Sequence, residues 1–178
     1  MLKGIAASSG IAIAKVYKLQ QPVLNIEKKE CDSAAEVAKF QAALVKTQAD
    51  IEAVKKLSEE ELAIFDAHLM MANDPELSGQ IEEMIKNESC NAEFATETVA
   101  NMMISMFESM DNDYFKERAA DVKDVTFRLK CNIVGAVIPD LTTIDEEVII
   151  VAEDLTPSDT AQLNKQYTLG FATATGGR

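Results

Sequence analysis

The chain has 178 residues, of which 47% are hydrophobic and 26% charged, a composition typical of a folded globular protein rather than a disordered one. Its 30 acidic and 17 basic residues give a net charge of −13, which argues against binding to nucleic acid or to an anionic membrane. The acidity favours a basic protein partner, although solubility alone explains it equally well. No apolar run approaches the roughly 20 residues of a membrane-spanning helix, and the first residues lack a secretory or transit pattern. We therefore expect a cytoplasmic protein.

The three cysteines give no sign of a disulfide framework or a zinc site. Cys31, Cys90 and Cys131 are widely spaced, odd in number, and without a CxxC motif or a nearby histidine. We interpret them as ordinary reduced thiols.

Residues 1–19 alternate apolar and small side chains with a period near two, which predicts a pair of short strands. From about Asp32 the apolar period becomes helical for about a hundred residues. Helix starts are indicated at Asp32 or Ser33, at about residue 59, at Asp74 before Pro75, at Asn91 and at Asp113, and Gly135 ends the last helix. Five helices with short connections predict an antiparallel bundle.

After Pro139 the pattern changes again, because "EEVIIVAEDL" predicts a buried strand, "TPSDTAQL" a helix start and "YTLGFATAT" a second strand. Thr156 is expected to cap this helix, with Pro157 in its first position and Asp159 returning to the cap. Such a βαβ unit has parallel strands. The simplest architecture is a helical domain inserted into an α/β domain, in which residues 1–19 and 146–178 share one sheet.

His68 is the sole histidine, so every histidine-based mechanism must use it. Helical spacing places Leu62, Phe65 and Leu69 on one apolar stripe of its helix, and Ile64, His68 and Met71 on another. Two stripes indicate either a helix buried over a wide arc or a face that meets a partner. On the residues alone, we interpret His68 as a packing or interface residue rather than a catalyst.

Three further patterns have structural explanations that we prefer. Met102, Met103, Met106 and Met110 share one helix, and such a stripe is usually core filling, although methionines also suit adaptable interfaces. Tyr114, Arg118 and Asp121 lie beside the core stripe of the fifth helix, where an ion pair within the helix is the simplest interpretation. The acidic runs "SEEEL" and "TIDEEV" are interpreted as solvated faces.

The terminal "TGGR" is by itself a weak signal of a phosphate-binding loop, and its place after a parallel strand strengthens that signal.

Together these segments resemble the N-terminal part of the enzyme I family, the phosphoenolpyruvate-protein phosphotransferases of the bacterial sugar phosphotransferase system. The resemblance rests on "GIAASSGIAIAK", "AHLMMANDPEL", "DYFKERAADVKDV", "EVIIVAEDLTPSDTAQL" and "LGFATATGGR", which occur in the expected order over essentially the whole chain. It implies an α+β, multidomain fold, in which an antiparallel helical bundle that binds the phosphocarrier protein HPr is inserted into a truncated α/β phosphohistidine (swivelling) domain. The implied boundaries are residues 1–22 and 141–178 for the α/β domain and 23–140 for the helical domain.

The resemblance also implies site residues. In the family, the phosphoacceptor histidine lies three residues past the position of Arg178, so we expect no catalytic residue within the chain. Thr160 matches the residue whose hydroxyl contacts that histidine, and Gly176, Gly177 and Arg178 match the adjacent glycine loop. The second stripe of the second helix becomes an interface on this view. The expected HPr-binding residues are Glu59, Ile64, His68, Met70, Met71, Glu76, Tyr114, Phe115 and Arg118.

As the resemblance implies, the whole enzyme transfers a phosphoryl group from phosphoenolpyruvate through a histidine to HPr. The chain itself is expected to be an inactive, monomeric fragment that at most docks HPr and holds no cofactor. The whole enzyme would add Mg²⁺ and a C-terminal domain that binds phosphoenolpyruvate and forms the homodimer. The alternatives are a non-catalytic helical interaction module on the same scaffold and, less favoured, a protein that accepts the phosphoryl group on His68.

Overall fold

The structure is a computed structural model that describes residues 4–57 and 62–175. The described part is mostly helical, with one small sheet whose strands come from both ends of the chain. In chain order its elements are β1 (Lys15–Lys18), α1 (Ser33–Lys55), α2 (Leu62–Ala72), α3 (Pro75–Glu88), α4 (Ala92–Ser109), α5 (Asp113–Val134), a 3₁₀ turn (Leu141–Thr143), β2 (Val148–Ala152), α6 (Pro157–Thr160) and β3 (Thr168–Thr173).

Local capping chemistry sets several helix ends where the sequence predicts them. The Asp32 carboxylate accepts a hydrogen bond from the second amide of α1, and Asp74 does the same for α3, which has Pro75 in its first position. α5 begins at Asp113 after an Asn112 cap. It ends at Gly135, whose φ of 74° is a left-handed conformation that glycine adopts without steric cost. These predicted boundaries are confirmed.

The start of α4 is stabilised in a different way from the one expected. Asn91 occupies the N-cap position, but its side chain makes no capping hydrogen bond. Its Oδ1 instead accepts from the Lys29 amide at 2.7 Å, and its Nδ2 donates to the Glu27 carbonyl at 3.1 Å. A free amide of α4, that of Ala92, donates to the Glu36 carboxylate of α1 at 2.7 Å. Tertiary contacts thus replace the local cap.

The helices enclose two groups of buried apolar side chains. One lies between α1, α3, α4 and α5, and the other lies where α1, α2 and α5 meet. Met103 packs against the first group, but Met102 and Met106 are about half exposed. The core interpretation of the methionine stripe is therefore wrong for those two residues, because only one edge of α4 faces the other helices at that level.

The sheet has the order β1-β2-β3, and both strand pairs are parallel. Pairing of β1 with β2 joins the two ends of the chain in one sheet, and the parallel β2–α6–β3 unit is confirmed. A third buried group, which includes Leu19, Leu141 and Ile150, packs beside the sheet. The prediction of two strands within residues 1–19 is wrong for residues 4–14, which form no strand, and Ile11 and Ile13 are almost fully exposed. Apolar alternation alone does not produce a strand when no neighbouring strand is available to pair with it.

The cysteines and the helix lengths bear on two further expectations. The three cysteines are free thiols, and burial raises the pKa of Cys131 to about 11. None of the helices in the described parts of the chain combines the length and apolar character needed to cross a membrane.

Candidate functional site

An open groove of about 1150 Å³ separates the helices from the C-terminal α/β segment. Ile64 of α2 and Lys116 and Lys123 of α5 contribute to its helical wall, while Thr156 and Thr160 contribute to the opposite wall. Thr160 is the residue that the sequence assigns to support of a phosphohistidine. The groove therefore brings that residue to face the helices on which the docking residues are predicted.

α6 is held in shape by a reciprocal cap. The Thr156 hydroxyl accepts from the Asp159 amide at 3.2 Å, and the Asp159 carboxylate accepts from the Thr156 amide at 3.0 Å, as the sequence predicts. Gln21 also donates to Asp159, at 3.0 Å, which ties the helix to the segment after β1. The Thr160 hydroxyl donates to the Pro157 carbonyl at 3.0 Å. The cap thereby fixes the turn from which Thr160 projects.

Asp159 is almost fully buried. Burial, assisted by the nearby charge of Asp124, raises the pKa of the Asp159 carboxyl, although hydrogen bonds from Thr156 act in the opposite direction.

A hydrogen bond joins α6 to the helices across the base of this groove. The hydroxyl of Ser158, which is buried, donates to Oδ2 of Asp124 on α5 at 2.9 Å. This contact combines a neutral donor with a carboxylate acceptor, the stronger class of hydrogen bond. Sequence reasoning missed both residues, because the cap already explains the "TPSD" motif and Asp124 lies 34 positions away from Ser158.

His68 lies beside that junction and is only 1% exposed. Its Nε2 is 3.2 Å from Oδ1 of Asp121, its Nδ1 is 4.0 Å from Oδ2 of Asp124, and the Phe65 ring meets it edge-on at 5.8 Å between centroids. Met71 packs against both helical cores. Within this stripe His68 is buried against α5, whereas Ile64 and Met71 are half-buried.

The exposed Tyr114 and the partly exposed Arg118 form a pair on the first turns of α5. Nε of Arg118 donates to the Tyr114 hydroxyl at 3.2 Å, and its guanidinium carbon lies 5.4 Å from the centre of the ring, within cation–π range. Arg118 also approaches Oδ2 of Asp121 at 3.8 Å, which is the ion pair within the helix that the sequence suggested. Tyr114 is 54% exposed, while Phe115 is half-buried and stacks on Phe107.

The other predicted site residues divide between exposed positions and positions outside the description. Met70 is 71% exposed, and Glu76 is exposed at the start of α3, where its amide is bound by the Asp74 cap. Glu59, Gly176, Gly177 and Arg178 lie outside the described residues. Within residues 4–57 and 62–175, no group of three or more histidine, cysteine or acidic side chains is arranged to hold a metal ion.

Two segments of the chain match models of known protein families. Residues 3–118 match the family described as "PEP-utilising enzyme, N-terminal", and residues 144–178 match "PEP-utilising enzyme, mobile domain". The chain belongs to the PEP-utilising enzyme family. Within this family its similarity is to enzyme I, because an NMR solution structure titled Enzyme I (nEIt) aligns with a TM-score of 0.88 and 43% identity, over 100% of this chain and 75% of that one.

Curated relatives point to the same branch of the PEP-utilising enzymes. Phosphoenolpyruvate-protein phosphotransferases of Bacillus sp. (strain S) and Bacillus subtilis (strain 168) are 54% and 52% identical to this chain over 183 aligned residues. Each alignment covers 99% of this chain but 32% of the relative. The chain thus spans about a third of the length of these relatives. A structure titled N-terminal domain of Enzyme 1 - Nitrogen, at 24% identity and a TM-score of 0.66, shares the fold.

Proposed function

We propose that this chain is the part of an enzyme I that docks the phosphocarrier HPr and supports the phosphohistidine. The whole enzyme would move a phosphoryl group from phosphoenolpyruvate to its own histidine and then to HPr. Support comes from family membership over both matched segments and from the groove that places Thr160 opposite the helices. A threonine hydroxyl in that place can fix the orientation of an imidazole ring, which decides the ring nitrogen that reacts.

We also propose the domain organisation that goes with this function. Residues 23–140 form a helical HPr-binding domain, inserted between residues 1–22 and 141–178 of an α/β phosphohistidine domain. Pairing of β1 with β2 supports this division, because it joins the flanking segments in one sheet while the five long helices lie between them in the chain.

The observation that carries the docking proposal is the continuity of contacts across α2 and α5. Arg118 bonds Tyr114 at the surface and pairs with Asp121, which in turn contacts His68 of α2. These contacts link the predicted docking residues Tyr114 and Arg118 of α5 to His68 of α2, which is buried. We propose that HPr contacts the exposed Met70, Glu76 and Tyr114 and the half-buried Ile64, Phe115 and Arg118. His68 and Met71 would hold in place the helix that presents Ile64 and Met70.

His68 is poorly suited to accept a phosphoryl group. It is buried, and carboxylates approach both ring nitrogens. A phosphoryl dianion placed there would lose its hydration and meet like charge. The proposal therefore leaves phosphoryl transfer to the histidine that the resemblance places after Arg178.

The remaining parts of the proposal concern the whole enzyme. It would be a cytoplasmic homodimer with a C-terminal domain that binds phosphoenolpyruvate together with Mg²⁺. We assign that ion to the C-terminal domain because the resemblance implies it for the whole enzyme. The net charge of −13 suits a carrier that presents its phosphate site among basic groups, and it would mainly accelerate encounter.

Titration of ¹⁵N-labelled HPr with the unlabelled 178-residue chain tests the docking. We expect chemical-shift changes concentrated around the phosphoacceptor site of HPr. Arg118→Ala should raise the dissociation constant for HPr by about tenfold or more, because a partly exposed arginine with an aromatic neighbour is typical of an interface hot spot. Lys86→Ala, which removes an exposed cation from α3, is the matched control and should change it little. An absence of shifts at millimolar chain, or equal effects of the two variants, would refute the proposal.

A further inference from the structure

Asp124 contacts groups from two different parts of the fold. Its Oδ2 accepts the Ser158 hydroxyl of α6 at 2.9 Å and lies 4.0 Å from Nδ1 of His68 on α2. Asp124 itself belongs to α5. One carboxylate oxygen thus meets the helices on one side and the α/β segment on the other.

The surroundings make this contact stronger than an exposed hydrogen bond. Ser158 and His68 are both almost fully excluded from solvent. A charge-assisted hydrogen bond in such a place is little weakened by water, and removal of its donor leaves a poorly solvated carboxylate. The contact therefore stabilises the position of α6 relative to α5.

The short length of α6 makes its position depend on such contacts. It contains only Pro157–Thr160, and Ser158 precedes Thr160 by two residues. The reciprocal cap fixes the internal shape of this turn, and the hydrogen bond from Ser158 to Asp124 ties the turn to α5. Thr160 lies on the wall of the groove, so any shift of α6 on α5 moves its hydroxyl across the groove.

We propose that Asp124 is a positioning residue that holds Thr160 at the groove through Ser158. His68 packs behind the Asp124 carboxylate and limits its movement, while Asp121 fixes the ring through Nε2. The sole histidine of the chain thereby acts as a spacer between two carboxylates. The consequence for phosphohistidine support rests on the proposed function of Thr160, but the positioning itself does not.

Hydrogen exchange and methyl spectra of the 178-residue chain test this inference. In Ser158→Ala, the amides of Thr160 and Ala161, which close the turn onto Thr156 and Pro157, should exchange about tenfold faster or more, since a hydrogen bond to a charged group is lost. The Thr160 methyl resonance should shift at the same time. Ser78→Ala, which removes a hydroxyl bonded to a backbone carbonyl on α3, is the matched control and should leave both signals unchanged.

Asp124→Asn separates positioning from simple stability. The carboxamide oxygen can still accept the Ser158 hydroxyl, so exchange in α6 should stay within about threefold of the parent. The ¹⁵N resonances of the His68 ring should nevertheless move, because its neighbour has lost its charge. Asp124→Ala, which cannot accept, should reproduce the fast exchange of Ser158→Ala.

Two results would overturn the inference. One is an unchanged Thr160 methyl resonance and unchanged α6 exchange in Ser158→Ala. The other is equal acceleration of the β2, β3 and α6 amides in both alanine variants, because that would show a general loss of stability instead of a displaced turn. The same variants titrated with HPr should dock it like the parent. Failure of the parent chain to dock would count against the proposed function alone.

Discussion

Truncation of Phe65 to alanine tests the packing of α2, the helix that carries four of the nine predicted docking residues. The ring is 0% exposed and lies among Ile51, Val54 and Val125. A buried aromatic side chain removes roughly 200 Å² from water, equivalent to about 5 kcal/mol at 25 cal/mol per Å². The extended-chain reference makes this an upper figure, and measured phenylalanine truncations cost about 3 to 5 kcal/mol.

We therefore expect Phe65→Ala to lower the free energy of unfolding by about 3 to 5 kcal/mol. Urea unfolding followed by circular dichroism at 222 nm is the appropriate assay, because α1 to α5 supply most of that signal. Val45→Ala, on the exposed side of α1, is the matched control and should cost less than about 0.5 kcal/mol. A loss for Phe65→Ala below about 1 kcal/mol, or one equal to that of the control, would show that α2 does not pack on α1 and α5 as described.

Two further predictions concern glycines and a buried acid. Gly135→Ala should destabilise by about 1 kcal/mol, because its φ of 74° disfavours an L residue, whereas Gly79→Ala within α3 should stabilise by about 0.5 to 1 kcal/mol, since a methyl group there meets open space. Thermal unfolding of both variants should give midpoint shifts of opposite sign, and shifts of the same sign would contradict this explanation. Because the pKa of Asp159 is raised in the folded state, its carboxyl contributes fully to the stability of the fold below the unfolded-state pKa near 3.8. This contribution to stability is lost as the pH rises through the higher pKa of the folded state. Asp159→Asn should therefore gain stability relative to the parent across that interval in urea titrations, and a constant difference from pH 3 to pH 7 would refute it.

The sequence predicts those parts of the fold that are decided by neighbouring residues. Asp74 with Pro75 starts α3, Gly135 ends α5, and Thr156 with Asp159 forms the cap of α6, each through hydrogen bonds or backbone angles within a few positions. Two of these signals, Asp74 with Pro75 and Thr156 with Asp159, lie inside motifs on which the resemblance to enzyme I rests.

Features that depend on distant contacts escaped prediction. The role of Asn91 is set by Glu27 and Lys29, more than 60 positions earlier, so its cap-like sequence was misleading. The Ser158–Asp124 contact joins two helices whose relative placement no periodicity encodes. For His68, helical spacing predicts a second stripe, but only the position of α5 shows that the His68 ring itself is buried.

The pairing of β1 with β2 has a consequence for the growing chain. β1 ends at Lys18 and its partner begins at Val148, about 130 residues later. At about 5 to 20 residues per second, synthesis leaves β1 without its partner strand for roughly 6 to 26 seconds, far longer than helices need to form. The helical segment can therefore form its core first and hold β1 close to the place where β2 leaves the ribosome. The order of events during synthesis would then run from the inserted helices outward to the sheet.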